Sequence, residues 1–254
     1  MTITSFDAVP ARTEADAAGS APRLSPDMRS VALLLAAVAA LLALAGVAVH
    51  LVIHEVIGDP SSDVSRALLR FDLGHEPSVP AWFSASVLLL NGLWLLVIAR
   101  AEALKARPMS LHWAVLGAVF VGLSLDEAAL FHELIDTLLA RQLGTDGVLT
   151  FPWVIAGLSS VALIALAYLR FLLALPRRFA ALFVGAGALF VGGAVGMEMA
   201  SALAIDAYGS TSLAHLATQT VEESLEMAGS ILFFYALSLY WSDRHGDVSI
   251  RPRA

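Results

Sequence analysis

Ser124-Leu125-Asp126-Glu127-Ala128-Ala129-Leu130-Phe131-His132-Glu133 places three acids and a histidine in an otherwise apolar run. The residues before it, Leu111 to Gly122, contain no acid, lysine or arginine. The stretch therefore reads as the second half of a membrane-spanning helix. Ionisable groups in the hydrocarbon region are costly and mark functional sites there by default. Two other apolar segments are interrupted in the same way, one by Glu222-Glu223-Ser224-Leu225-Glu226-Met227 and one by Glu198.

Of the 254 residues, 58% are hydrophobic and 15% charged, whereas a soluble domain averages about 25% charged residues. The apolar residues gather in runs of roughly 20 or more, the length that crosses about 30 Å of hydrocarbon. The partner this implies is a lipid bilayer. Nucleic acid is excluded, because the net charge is -7 and the basic residues form only short loop groups. With no cysteine, disulfides, thiolate metal sites and cysteine nucleophiles are excluded as well.

The fold class predicted is all-α, a polytopic membrane helix bundle. Six transmembrane helices fall near residues 31–53, 81–100, 111–138, 151–171, 179–205 and 215–241. Residues 1–30, rich in Ala, Pro, Ser and Asp, predict a disordered cytoplasmic tail. Residues 31–241 form the transmembrane domain, and 242–254 a cytoplasmic C-terminal tail. Ala43-Leu44-Ala45 resembles a signal-peptide cleavage site. The long preceding tail and the spanning length of the run favour an uncleaved first helix. Ser61 to Phe71 predicts a short interfacial helix with Val64, Leu68 and Phe71 on one side.

Lysine and arginine set the orientation. With six spans, twelve of them share the side of both termini, among them Arg29, Arg100, Lys105, Arg107, Arg177, Arg178 and Arg244. Only Arg66, Arg70 and Arg141 lie opposite. The positive-inside rule makes both termini cytoplasmic, as in a bacterial inner-membrane protein. Asp126 to Glu133, Glu198 and Glu222 to Glu226 then fall at similar depth, in the outer half of their spans. No acid lies in the inner half of any of the six.

Helical spacing groups these residues. Asp126 and Glu133, seven apart, share a face, with Glu127 and His132 to either side. His215, Gln219, Glu222, Glu226 and Gly229 form one stripe, which ends at Ser230 above Ile231-Leu232-Phe233-Phe234. This pattern predicts a pocket entered from outside and closed toward the cytoplasm. Ala188, Gly192, Gly196, Ala200 and Ala204 form a small-residue stripe that predicts close helix packing beside Glu198. His50 and His54, at i and i+4, can face one ligand. Glu76 and His75, in the loop before the second span, can form a lid, and His215 sits at the outer mouth.

Asp126, Glu127, Glu133, Glu198, Glu222, Glu223 and Glu226 have no lysine or arginine at their depth. Such a set needs protons, water or a cation as its counter-charge. Carboxylates and histidine on facing helices of a bundle are how di-iron and di-manganese sites are built. Glu-x-x-His, their usual spacing, is absent here. The donor set suits Fe, Mn or Zn.

Phe71-Asp72-Leu73…Glu76…Pro80-Ala81-Trp82, Ser124-Leu125-Asp126-Glu127…His132-Glu133 and Glu222-Glu223…Glu226-Met227-x-Gly229 together resemble a group of uncharacterised bacterial multi-pass membrane proteins. The resemblance covers most of residues 71–240. It implies a shared membrane architecture and makes Glu76 and the acids of the two clusters signature positions. It implies no activity.

The function expected is divalent-metal binding in an outward-facing intramembrane pocket, as in a metalloenzyme acting on a membrane-accessible substrate. Asp126, His132, Glu133, Glu198, Glu222 and Glu226 are the metal ligands of this reading. Glu127 and Glu223 are its proton acceptors, and His50, His54, Glu76 and His215 its additional candidates. One alternative is a proton- or cation-coupled transporter using the same acids, with Asn91, Ser159 and Ser160 along a narrow path. Another is a non-catalytic assembly or sensor component.

Overall fold

The computed structural model describes residues 27–143 and 151–246, and every regular element among them is helical. Both predicted tails fall largely outside the described residues. Helix α1 spans Met28–Val52 and continues into a π-helical turn, Ile53–Ile57. A short helix α2, Asp63–Leu68, and a 3-10 turn, Leu69–Phe71, occupy the predicted interfacial segment. Then follow α3 (Val79–Leu104), α4 (Ser110–Ala129), α5 (Phe131–Leu143) and α6 (Trp153–Ala174). Helix α7 (Arg177–Val191), a π-helical segment (Gly192–Met197) and α8 (Glu198–Tyr208) form one continuous rod. Helix α9 spans Leu213–His245.

Five of these stretches are long and apolar enough to cross a membrane: Met28–Ile57, Val79–Leu104, Ser110–Ala129, Trp153–Ala174 and Arg177–Tyr208. Helix α9 has the length, 33 residues or about 50 Å. Its polar stripe leaves it outside that set.

Serines start the helices where the sequence supplies them. Ser78 accepts from the Ala81 N–H at 3.2 Å at the head of α3, with Pro80 in the first turn. Ser212 does the same for the His215 N–H at the head of α9. Each satisfies one backbone donor that the first turn leaves open.

Helix α9 is central and packs against α1, α3, α7, α8 and the π segment between them. Helices α3 and α4 form a tight hairpin. A Cβ on Gly92 would lie 3.1 Å from the Gly117 carbonyl, and one on Gly117 equally close to that of Gly92. One end of the bundle is filled by interlocked rings. Trp113 meets Phe171, Phe183 and Tyr240, and Phe233 stacks on Phe120.

Three expectations are corrected. The helix predicted over 111–138 breaks at Leu130, which takes a left-handed conformation, φ +57. The small-residue stripe does not run as written. The π segment shifts the register, so Gly193 meets α9 while Gly192 and Gly196 have nothing near their Cβ positions. Finally, α3 runs four residues beyond the predicted 100, to Leu104, and takes in Glu102, which is 3% exposed. Glu102 accepts from Arg107 Nη1 at 2.9 and 3.1 Å and lies 3.0 Å from His245 Nε2. An acid is therefore buried at the aromatic end too, paired with a guanidinium.

Candidate functional site

At the end opposite the rings lies a cavity of about 470 Å³. Helix α9 contributes His215, Gln219, Glu222 and Glu223, α8 contributes Glu198 and Ser201, and α5 contributes His132, Glu133 and Asp136. The loop before α3 adds Glu76, and Trp153 opens α6 as part of the wall. Six acids and two histidines thus face one space, and among the described residues no lysine or arginine lines it.

Glu198 owes its position to the π segment. A Cβ on Gly193 would lie 2.7 Å from the Glu222 carbonyl and 2.8 Å from Glu226 Cγ, so glycine there lets the segment touch α9. Across that contact the Glu198 and Glu222 carboxyls are neighbours. Two ionised carboxylates side by side repel, so the pair calls for protons, water or a cation as counter-charge. π-Helical turns often occur at functional sites. Both of the π segments here adjoin candidate residues, the other containing His54 and Glu55.

The break at Leu130 reorganises the opening motif. Asp126 Oδ1 accepts from the His132 N–H at 2.9 Å, and Asp126 Oδ2 lies 3.2 Å from His132 Nδ1. Asp126 therefore caps α5 and orients the His132 ring, and it is not among the cavity's lining residues. This corrects the grouping of Asp126 with Glu133 on one helical face. The His132 ring lies 5.7 Å from the Trp153 ring. The Trp153 N–H donates to Asp136 at 3.2 Å, tying α6 to α5.

Glu76 is more than a lid. Its carboxyl lies within electrostatic reach of His132, Glu133, Asp126 and Glu198. Burial pushes it above the usual glutamate range; His132 opposes the rise, and the three carboxyls add to it. His75, its neighbour, is not a lining residue. Glu127 and Glu226 lie behind the wall, each within electrostatic reach of Glu223.

The histidines form a separate edge. His215 Nδ1 is paired with Ser201 Oγ at 2.8 Å. His50 Nδ1 lies 3.7 Å from Asp72 Oδ2, and His50 is within electrostatic reach of His215. The side chain of His54 lies outside the described residues. Among the described residues, no three histidine or acidic side chains converge closely enough to hold a metal ion as they stand.

Sequence reasoning missed Asp136, Ser201, Trp153 and Gly193. Asp136 had a signal, since it is four residues from His132 and shares its face on α5. The others had none, because their positions depend on the break at Leu130 and on the π segment.

A model for a domain of unknown function, DUF8692, matches residues 21–241. No curated protein and no solved structure matches the chain. The match covers nearly all of the helical bundle, and the chain belongs to the DUF8692 family.

Proposed function

We propose that this protein is a bacterial inner-membrane protein of six spans, α9 being the sixth, whose acid-lined cavity binds a divalent cation. Twelve lysines and arginines against three across the alternating loops support cytoplasmic termini and a cavity open to the outside. The observation that carries the cation is the lining itself: six acids, two histidines and, among the described residues, no lysine or arginine. Glu198 and Glu222, neighbours across the contact of the rod with α9, are the first two ligands, a cation there supplying the counter-charge that the two carboxyls lack. His132 and Glu133, which line the cavity, are the further ligands, whereas Glu226 lies behind the wall. Asp126 moves one step out, to the group that orients His132. Glu127 and Glu223 remain the proton acceptors of a metalloenzyme reaction on a membrane-accessible substrate.

Metal analysis tests this. Protein purified without chelators and then equilibrated with Fe(II), Mn(II) or Zn(II) is expected to retain one or two ions per chain. The double variant Glu198→Gln/Glu222→Gln is expected to retain none. Equal, substoichiometric metal in both would sink the reading.

Coupled transport is the second reading, and the adjacent carboxyls of Glu198 and Glu222, a natural place for a proton, favour it. The aromatic end counts against a second access route. The three polar side chains suggested for such a path are bound to backbone carbonyls: Asn91 to Ser230, Ser159 to Ile155 and Ser160 to Ala156. Carboxylate-dependent cation flux into vesicles would replace the first reading with this one.

A further inference from the structure

We propose that the groove between α1 and α9 binds an anionic phospholipid, its phosphate held at Arg29 and Tyr235 and one acyl chain laid along the groove toward Ser224. The groove encloses about 580 Å³ and shares no lining residue with the acidic cavity. Its α1 wall is alanine at positions 32, 36, 39, 40 and 43. Small residues facing a neighbour ordinarily let two helices close together. Here Ala39 and Ala43 reach the core cluster that includes Met227 and Ile231 of α9, and the short side chains leave a groove open beside that contact. An empty apolar gap forfeits dispersion contacts, and water would find too few polar partners in it. Acyl chain is what a bilayer supplies.

Charge selects the lipid. His50 at the end of α1 is within reach of His215 at the start of α9, so the helices run antiparallel and Tyr235 lies toward the Arg29 end. Arg29 is exposed and makes no salt bridge among the described residues. Asp27, its nearest acid in sequence, accepts from the Arg29 backbone N–H and the Ser30 hydroxyl. No hydrogen bond among the described residues uses the Tyr235 hydroxyl. A guanidinium and a phenol at the mouth of an apolar slot are donors suited to a phosphate, and basic pockets between membrane helices hold such headgroups. From Arg29 to Ala43 is about 21 Å at 1.5 Å per residue, the reach of one extended acyl chain. The proposal does not depend on the cation reading.

Native mass spectrometry of the full chain in mild detergent, with phosphatidylglycerol and phosphatidylcholine added in equal amounts, tests it. One phosphatidylglycerol per chain is expected to be retained preferentially. Arg29→Gln is expected to lower that preference about five-fold, a factor typical of one basic side chain near a lipid surface, and Arg29→Lys to keep it. Ala36→Leu/Ala40→Leu, which fills the slot, is expected to abolish retention of both lipids at this site. Equal retention of the two lipids by wild type and Arg29→Gln would overturn the proposal. So would efficient disulfide cross-linking of an Ala36→Cys variant of this cysteine-free chain, which would put a second copy in the groove.

Discussion

The two ends of the bundle are built from the same helices and solve opposite problems. Helix α9 carries Glu222, Glu223 and Glu226 and then, within about four turns, Phe233, Phe234, Leu237 and Tyr240. Helix α4 carries Trp113 near one end and Asp126 near the other. At the aromatic end the rings interlock, and the acid buried there, Glu102, has Arg107 and His245 against it. At the other end the acids outnumber their partners and the helices leave a cavity. In a membrane the hydrophobic effect does not drive helices together, so packing and interhelical polar contacts must do it. The ring-filled end provides the packing. That division lets the open end tolerate unpaired carboxyls, which is the condition for holding a cation or a proton.

The sharpest way to break this contrast is to exchange the damage. Trp113 is 1% exposed, and Trp113→Ala is expected to destabilise the fold by about 3 kcal/mol, chiefly through the cavity it leaves. Glu226→Gln, in the acid end, is expected to leave the midpoint of thermal unfolding unchanged or raise it. Thermal unfolding in detergent, followed by near-ultraviolet circular dichroism, reads both. A larger loss for Glu226→Gln than for Trp113→Ala would invert the assignment of stability to the aromatic end.

A smaller effect tests Asp126 as a cap. Asp126→Ala is expected to destabilise by about 1 kcal/mol, the usual worth of a capping side chain. Asp126→Asn keeps an oxygen for the His132 N–H and is expected to lie close to wild type. Helical content by far-ultraviolet circular dichroism during unfolding separates the two variants. Equal behaviour of Ala and Asn would remove the cap.

The smallest effect is in pH. Burial raises the Glu76 carboxyl above its ordinary value of 4.5, so the folded chain favours its neutral form. The stability Glu76 contributes is then fully present below pH 4.5 and is lost as pH rises through the raised value. The Glu76→Gln variant is expected to show a flatter fall in unfolding temperature above pH 4.5 than wild type. Superimposable pH profiles would show that Glu76 is solvated, not buried in the cavity wall.

The apolar runs and the gathering of acids toward one end of the bundle were legible because hydropathy and helical spacing depend only on residue order. The cavity's α9 wall, His215, Gln219 and Glu222, was legible for the same reason. The break at Leu130 was not. Left-handed backbone is usually signalled by glycine or asparagine, and leucine gives no warning. Its effect was to replace a shared helical face by the contact of Asp126 with His132. The π segment was equally silent, since nothing in Gly192-Gly193-Ala194-Val195-Gly196-Met197 distinguishes it from an α-helical stripe. Glu102 was placed in a loop because the span was ended at Arg100, where charge begins. A buried partner such as Arg107 is what lets a helix carry an acid past that point.

The π segment also makes the acidic site unusually sensitive to one kind of genetic change. A π-helical turn accommodates an extra residue within an otherwise α-helical rod. Deleting Gly196, whose Cβ position touches nothing, would let the rod revert to regular α-helix with Glu198 still on the face toward α9. Inserting a further residue beside it would exceed what one π turn takes up and would rotate the face bearing Glu198 by about 100°. Either rod would stay apolar and nearly as long, so both would still be read as a spanning segment by insertion machinery. A single-codon deletion and a single-codon insertion, equally invisible to hydropathy, would therefore have opposite consequences for the site.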